Sequence, residues 1–180
     1  MLKTNRLNLR PFADADLNLL FLLHANEEVA KTTIDGIQSL EQVQKHLDSF
    51  INHQEKFGYS QWAVFEKETA KFAGRAGLTT RALNKEIGKK TEIRFALLPE
   101  FWGKGYASEL TAELVKFAFE KLQLEIIAAA NGATNEKSHR VLIKNGFQFI
   151  KKTIPEGYGS EGEIRYYLLN KNEFLKTKKN

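Results

Sequence analysis

The run Glu100-Phe101-Trp102-Gly103-Lys104-Gly105-Tyr106 carries the clearest chemical signal in the chain. An apolar stretch, Ile93 to Leu98, leads into it and Pro99 stops that stretch. A helix follows, with Leu110, Leu114, Phe117 and Ala118 at i, i+4, i+7 and i+8. A strand, a glycine turn and a helix N-terminus together make an anion site. The glycines let backbone N–H groups approach the ligand, and the helix dipole adds positive potential there. Lys104 contributes a mobile charge. The ligand this suits is a phosphate or pyrophosphate.

Other glycine-loop patterns fit less well. The Walker pattern needs a Gly-Lys-Ser/Thr ending that is nowhere in the chain. The dinucleotide pattern needs a third glycine where Ser108 stands, although Glu125 lies about where its acidic residue belongs. That fold also wants repeated strand–helix–strand units from the start, which the upstream sequence lacks. A full G-x-G-x-x-G occurs at Gly157, Gly159 and Gly162, but strand-like residues 164–169 follow it, and Glu156, Glu161 and Glu163 would repel phosphate.

The loop resembles the acyl-CoA loop of the GNAT acetyltransferase superfamily, Gln/Arg-x-x-Gly-x-Gly/Ala after the fourth strand, with Glu100 in place of the leading Gln/Arg. Its Trp-Gly-x-Gly-Tyr-Ala-x-Glu form is similar to the branch that includes the ribosomal-protein N-terminal (alanine/serine) acetyltransferases. Thr4-Asn5-Arg6-Leu7-Asn8-Leu9-Arg10-Pro11 resembles that branch's first strand, and Asn135-Glu136-Lys137-Ser138 and Asn145-Gly146-Phe147 resemble its late motifs. Four motifs in the right order extend the resemblance over nearly the whole chain.

The resemblance implies a mixed α/β fold, a mostly antiparallel sheet of about seven strands flanked by helices, with splayed central parallel strands. Acetyl-CoA would lie in the splay, its pantetheine pairing like an added strand with the backbone of Ala96, Leu97 and Leu98. The amides of Trp102, Gly103, Lys104, Gly105, Tyr106 and Ala107 would hold pyrophosphate, and a strand N–H, that of Leu97, would polarise the thioester carbonyl. Asn135 would contact the pantetheine arm while also capping the next helix. Ser138 would sit near the sulfur as hydrogen-bond donor or relay. Many relatives place a general-acid tyrosine seven residues after the Asn; Leu142 stands there. Lys137, Arg140 and Lys144 would meet the CoA phosphates.

Amine acetylation needs no covalent enzyme intermediate, which agrees with the lack of cysteine. It does need deprotonation, because free amines have pKa values of about 8 at a chain terminus and about 10 on lysine. Glu92 is the candidate base, since the resembled branch often carries Glu at that place. Glu92 and Arg94 share a strand face, so an ion pair with Arg94 or Arg75 is the equal alternative. The four histidines, His24, His46, His53 and His139, lack metal-ligand spacing, and no metal is expected. Trp62 is read as core, and Trp102 as a loop residue that could shield CoA.

The chain has 180 residues and a hydrophobic share of 42% with 13 Phe, enough for one domain with a real core. The division expected is 1–171 as that domain and 172–180 as a basic C-terminal tail. With no cysteine, no apolar leader after Met1 and no membrane-length run, a cytoplasmic protein is the default expectation. The net charge of +5 and pI near 9.3 raise nucleic acid as a partner. Lysines crowding the C-terminal end, and an anionic co-substrate, explain that charge equally well.

Leu7 and Leu9 alternate with Arg6, Asn8 and Arg10 in a first strand, residues 2–10. Asp14 or Asp16 would cap a helix carrying Leu17, Leu20, Phe21 and His24. Ser39 and Gln42 form a capping box for a second helix that Gly58 closes. Strands are expected at 61–67, 72–80, 91–98, 125–130, 147–154 and 164–169, with a short helix at 138–144. Gly74 and Gly77 suggest a bulge or close backbone approach.

The functional expectation is an N-acetyltransferase moving acetyl from acetyl-CoA to a primary amine, on a protein N-terminus or a small molecule, by direct attack. The acceptor would lie between residues 24–60 and the loop 155–163, where Arg94 would narrow the pocket or attract an acidic acceptor. A non-catalytic acyl-CoA-binding module is the alternative, with a basic nucleic-acid binder behind it. The resembled branch often forms homodimers.

Overall fold

Alternation of Leu7 and Leu9 with Asn8 and Arg10 builds strand β2 (Leu7–Pro11), both leucines fully buried. The computed structural model describes residues 1–33, 36–154 and 162–177. Most of the loop 155–163, including Gly157 and Gly159, lies outside the described residues. The first expected strand is two. Leu7 N–H donates to Thr4 Oγ1 and Thr4 N–H to Leu7 O, both at 3.0 Å, so the chain turns at Thr4 and β1 (Leu2–Lys3) pairs antiparallel with β2.

The capping role expected of Asp14 or Asp16 is absent from helix α1 (Leu17–His24). The Asp16 carboxylate instead accepts from Arg10 Nη1 at 2.6 Å, Nη2 at 2.7 Å and the Ala13 amide at 2.9 Å, tying β2 to the helix entry. A four-residue helix α2 (Glu27–Ala30) follows. Helix α3 (Leu40–Phe57) has the anticipated Ser39/Gln42 box, ends at Gly58 with φ of 75°, and buries Val43, Leu47 and Phe50.

Strands β3 (Gln61–Glu66), β4 (Phe72–Ala82) and β5 (Lys89–Leu97) form an antiparallel meander. Val64 pairs with Gly74 but Phe65 with Phe72, so Ala73 is the extra residue of a bulge. Gly74 and Gly77 are close approaches. A Cβ on Gly74 would stand 2.2 Å from Ala96 O, and one on Gly77 2.0 Å from Ser60 O.

Helix α4 (Tyr106–Lys116) runs into a π-helical turn, Phe117–Lys121, and the chain returns as β6 (Ile126–Gly132). Helix α5 (Glu136–Lys144), strands β7 (Gln148–Thr153) and β8 (Ile164–Asn170), and helix α6 (Lys171–Thr177) complete it. Among the described residues the sheet has eight strands ordered β1-β2-β3-β4-β5-β6-β8-β7, and of their pairings only β5–β6 is parallel. The eighth strand is the product of the N-terminal hairpin. Part of the expected tail is helical: in α6, Phe174 packs on Phe119 with ring centroids 5.2 Å apart.

Strand alternation assigns the helices to faces. Ala63 opposes Arg75 in the ladder, so Gln61, Ala63 and Arg75 share one face. Arg75 reaches His24 of α1 and lies over the Phe50 ring of α3. Trp62 points to the other face and meets Phe117, at the end of α4, at 5.4 Å.

Candidate active site

Strands β5 and β6 pair at only two positions, Glu92 with Ala128 and Ile93 with Ala129. Beyond Ile93 they part, and a cavity of about 780 Å³ opens whose wall includes Phe95, Leu97, Trp102, Gly105, Asn131 and Ser138. The backbone directions in β5 sort the expected contacts. Leu98 N–H donates to Ala73 O at 2.9 Å, and Ala96 pairs with Arg75 in the same register. Alternation turns the Phe95 and Leu97 amides to the opposite edge, toward the gap. Leu98 thus leaves the set of strand-edge contacts and Ala96 offers its side chain rather than its N–H. Leu97 keeps its amide on the gap side, while its carbonyl accepts from Trp102 Nε1 at 2.6 Å.

The glycine loop has the anticipated form. Gly103 and Gly105 have φ of 75° and 79°, the left-handed region that side chains resist, and Gly105 is the N-cap of α4. Among the described residues no side chain caps that helix, which leaves its first amides to a ligand. Lys104 departs from expectation. It is absent from the described cavity wall; its ammonium lies 3.9 Å from Glu66 and over the Phe101 and Tyr106 rings. Tyr106 lines the cavity, and its hydroxyl donates to Glu66 at 2.6 Å.

Sequence reasoning missed what braces this loop. Arg6 donates to Lys104 O at 2.8 Å and to Glu109 through Nε at 2.7 Å, while its backbone amide reaches Glu109 at 2.7 Å. Its guanidinium also lies over the Tyr106 ring at 4.5 Å. Burial pushes the Glu109 carboxyl up, but bonds from the Thr4 hydroxyl and from Arg6 outweigh this and leave it low. The N-terminal motif therefore acts through the Arg6 side chain as well as through its strand. Arg6→Ala is expected to leave the fold intact and raise the KM for acetyl-CoA roughly tenfold, about 1.4 kcal/mol of lost loop order. Initial rates at varied acetyl-CoA check this, and an unchanged KM would remove Arg6 from the positioning role.

Asn135 caps α5, its Oδ1 accepting from Ser138 N–H at 3.0 Å, and its Nδ2 donates to Thr32 O at 3.0 Å. One amide donor and one acceptor lone pair are left over. Leu142 is buried in the cavity wall where the resembled enzymes carry tyrosine. Tyr166 of β8, which sequence reasoning passed over, is a buried phenol in the same wall. Lys137 lines the wall and covers the Trp102 ring at 5.0 Å, with Arg140 and Lys144 alongside on α5.

Glu92 is 1% exposed and does not belong to the described cavity wall. Its carboxylate accepts from Arg81 Nε at 2.5 Å and Nη2 at 3.2 Å, with Arg94 at 3.9 Å. The main ion-pair partner is thus Arg81, not Arg94 or Arg75. Thr79 opposes Glu92 directly, which puts Arg81 on the diagonal of the same face. Arg75 donates instead to Gln61 at 2.8 Å and His24 at 3.3 Å.

The other histidines have structural partners. His53 accepts from Thr80 N–H through Nε2 at 3.0 Å, so Nδ1 is the donor to Tyr59 O at 2.6 Å. His139 meets the Tyr167 hydroxyl at 2.9 Å, outside the cavity wall. Among the described residues no group of three or more His, Cys, Asp or Glu could hold a metal, and no helix is long and apolar enough to cross a membrane.

A splayed parallel pair beside an uncapped glycine-loop helix defines a class that the comparisons identify. Residues 6–148 match the family model described as Acetyltransferase (GNAT) domain, and the chain belongs to that family. It is an acetyltransferase that depends on acetyl-CoA. The uncharacterized N-acetyltransferase YoaA of Bacillus subtilis (strain 168) is 31% identical over 170 residues, 93% of this chain and 88% of that protein. Among solved structures, spermidine N-acetyltransferase from Vibrio cholerae, in complex with CoA and spermine, superposes with a TM-score of 0.75 at 18% identity, covering 94% of this chain and 98% of that one. RimL, a ribosomal L7/L12 alpha-N-protein acetyltransferase in complex with CoA, gives 0.75 at 18%, covering 93% and 95%.

Proposed function

We propose that this chain transfers the acetyl group of acetyl-CoA to a primary amine by direct attack in a ternary complex. The observation that carries this is the gap beyond Ile93, with the Leu97 amide on its edge and the αL glycine loop at its end. The donors fit the co-substrate: α4 amides and the Lys137–Arg140–Lys144 cluster suit phosphates, and the β5 edge suits a strand-like amide arm. The Leu97 N–H supplies an oxyanion donor. The amine nitrogen bonds to the acyl carbon, the C–S bond breaks, and the thiolate leaves. Ser138, a residue of the cavity wall, donates a hydrogen bond from its hydroxyl to the departing sulfur. Glu92 orients Arg81 and Arg94, and the amine proton departs through water. The named neighbours act on spermidine and on a ribosomal protein, so an amine acceptor suits the reading.

The first experiment is thermal stability with CoA, acetyl-CoA and NAD. At a hundredfold excess over Kd, specific binding adds about 2.7 kcal/mol, so both CoA forms should raise the midpoint by roughly 5–10 °C and NAD by nothing. Thiol release with an amine library follows. No rise with CoA sinks the proposal; binding without release on any amine favours a non-catalytic module. The Glu92 role is separable. As a positioning group, Glu92→Gln raises the acceptor KM with kcat little changed; a direct base would lose kcat and the acidic limb of the rate profile.

A further inference from the structure

Three tyrosine hydroxyls are committed to the fold. Tyr59 shares a hydrogen bond with Thr80 at 2.8 Å, Tyr106 donates to Glu66 at 2.6 Å, and Tyr167 meets His139 at 2.9 Å and donates to Asn131 at 3.3 Å. Tyr166 differs. It is 3% exposed and belongs to the cavity wall, yet its hydroxyl has no hydrogen-bond partner among the described residues. Nor is that oxygen one of the described polar atoms sealed away without a partner. In a residue so buried, the open side of the hydroxyl is the cavity.

The ladder places Tyr166 at the splay. Strand β6 parts from β5 after Ala129, the partner of Ile93, and the next residue, Ala130, stands opposite Tyr166. Cross-strand partners share a face and successive residues alternate, so Tyr166, Ala130 and Ala128 lie on the face of Glu92 and Arg94. Between Tyr166 and the gap, β6 presents Ala130, a single methyl. Strands lie about 4.8 Å apart, a spacing that a phenol side chain spans. Tyr167 points to the other face, where it meets His139 of α5, the helix that also carries Ser138. Two hydroxyl residues of the wall thus flank the gap, Ser138 from one face and Tyr166 from the other.

We infer that Tyr166 is a catalytic residue, the proton donor to the departing sulfur. This rests on the acetyltransferase reading above and adds a residue to it. A serine hydroxyl is a very weak acid, whereas phenols ordinarily have a pKa of about 10 and are much better proton donors. As the amine nitrogen bonds to the acyl carbon, the C–S bond breaks and its electron pair goes to sulfur, which takes the Tyr166 proton. The nitrogen has one proton to lose, and water carries it back to the phenolate oxygen. The products are the amide and the free thiol, with the phenol restored. Ser138 keeps its hydrogen bond to the same sulfur from the opposite face.

The test is calorimetric binding of CoA and of desulfo-CoA, which lacks the thiol, at pH 9, above the ordinary thiol pKa of about 8.5. Donors aimed at the sulfur favour CoA through charge-assisted hydrogen bonds, so the wild type should prefer CoA by about tenfold or more. Tyr166→Phe should keep its affinity for desulfo-CoA, which shows that it is folded, and cut that preference by roughly fivefold or more. Tyr167→Phe removes a hydroxyl outside the described cavity wall; it should lose stability and keep the wild-type preference. With spermidine and a pentapeptide beginning Ala-Gln as acceptors, single-turnover release of thiol should slow about thirtyfold in Tyr166→Phe for whichever reacts, with the steady-state KM for acetyl-CoA unchanged. No preference in the wild type, an unchanged one in Tyr166→Phe, or an equal loss in Tyr167→Phe overturns the inference and leaves the CoA site standing. If neither ligand binds the wild type, the acetyltransferase reading falls and the inference with it.

Discussion

Replacing Gly105 with valine abolishes the CoA-induced rise in thermal midpoint and lowers kcat/KM by at least a hundredfold, about 2.7 kcal/mol or more. Space is not the cause, since the nearest atom to an added Cβ is Arg6 Nη2 at 3.5 Å, an ordinary contact. The cause is conformation. At φ of 79° an L-residue pays about 1–2 kcal/mol, and a β-branched one is a genuine outlier there. The backbone relaxes toward negative φ, which swings the peptide planes feeding α4 and turns its first amides off the ligand. Gly58→Val is the control. It has φ of 75° with nothing within 4 Å, and it closes α3 away from the cavity. It should lose comparable stability and keep the full response to CoA. If Gly105→Val also keeps that response, the loop is an ordinary turn.

Acid should unfold this protein through His24 as well as through its carboxylates. Burial first, then the charges of Arg75, His46 and Arg94, push His24 down to about 3. The geometry agrees, because Arg75 Nε donates to Nε2, which must therefore hold its lone pair. The folded pKa lies below the unfolded value of 6.5, so the unfolded chain takes the proton first as pH falls. The His24 contribution is fully present above about pH 6.5 and is lost as pH falls toward 3. The limiting slope is about 1.4 kcal/mol per pH unit, and partial exposure of the ring brings the loss to roughly 2–4 kcal/mol across that window. Urea midpoints at pH 7, 5 and 4 for the wild type and His24→Gln provide the check. Gln can still accept from Arg75 and takes no proton, so the variant should lose less stability on acidification; parallel curves would count against the assignment.

Local signals in the sequence were strong wherever one residue settles the outcome. Ser39 and Gln42 start α3, Gly58 ends it, and Gly103 and Gly105 take the conformation that only glycine holds cheaply. The strand alternation at Leu7 and Leu9 was equally plain. What stayed hidden depends on register or on distant pairing. The Arg81–Glu92 pair exists because the β4–β5 turn sets Thr79 opposite Glu92, and one residue of slip would have put Arg81 on the other face of the sheet from Glu92. That Leu97 rather than Leu98 faces the gap follows from the same ladder. The Arg6–Glu109 brace joins residues 103 apart, and nothing local marks it. Lys104 looked like a phosphate ligand from its glycine neighbours, yet Glu66 and two rings draw it outward.

The two-position junction of β5 and β6 has a mechanical meaning. Nine ladder positions join β4 to β5, and seven join β6 to β8. The sheet is therefore two stiff leaves meeting at a narrow seam, with α4 as the chain that bridges them. A strand-like molecule laid along the open edge of Phe95 and Leu97 acts as a splint: it extends the ladder where the protein's own has stopped. Occupancy then resists twisting of one leaf against the other, and the rigidity of the catalytic face becomes a property of the loaded enzyme rather than of the polypeptide alone.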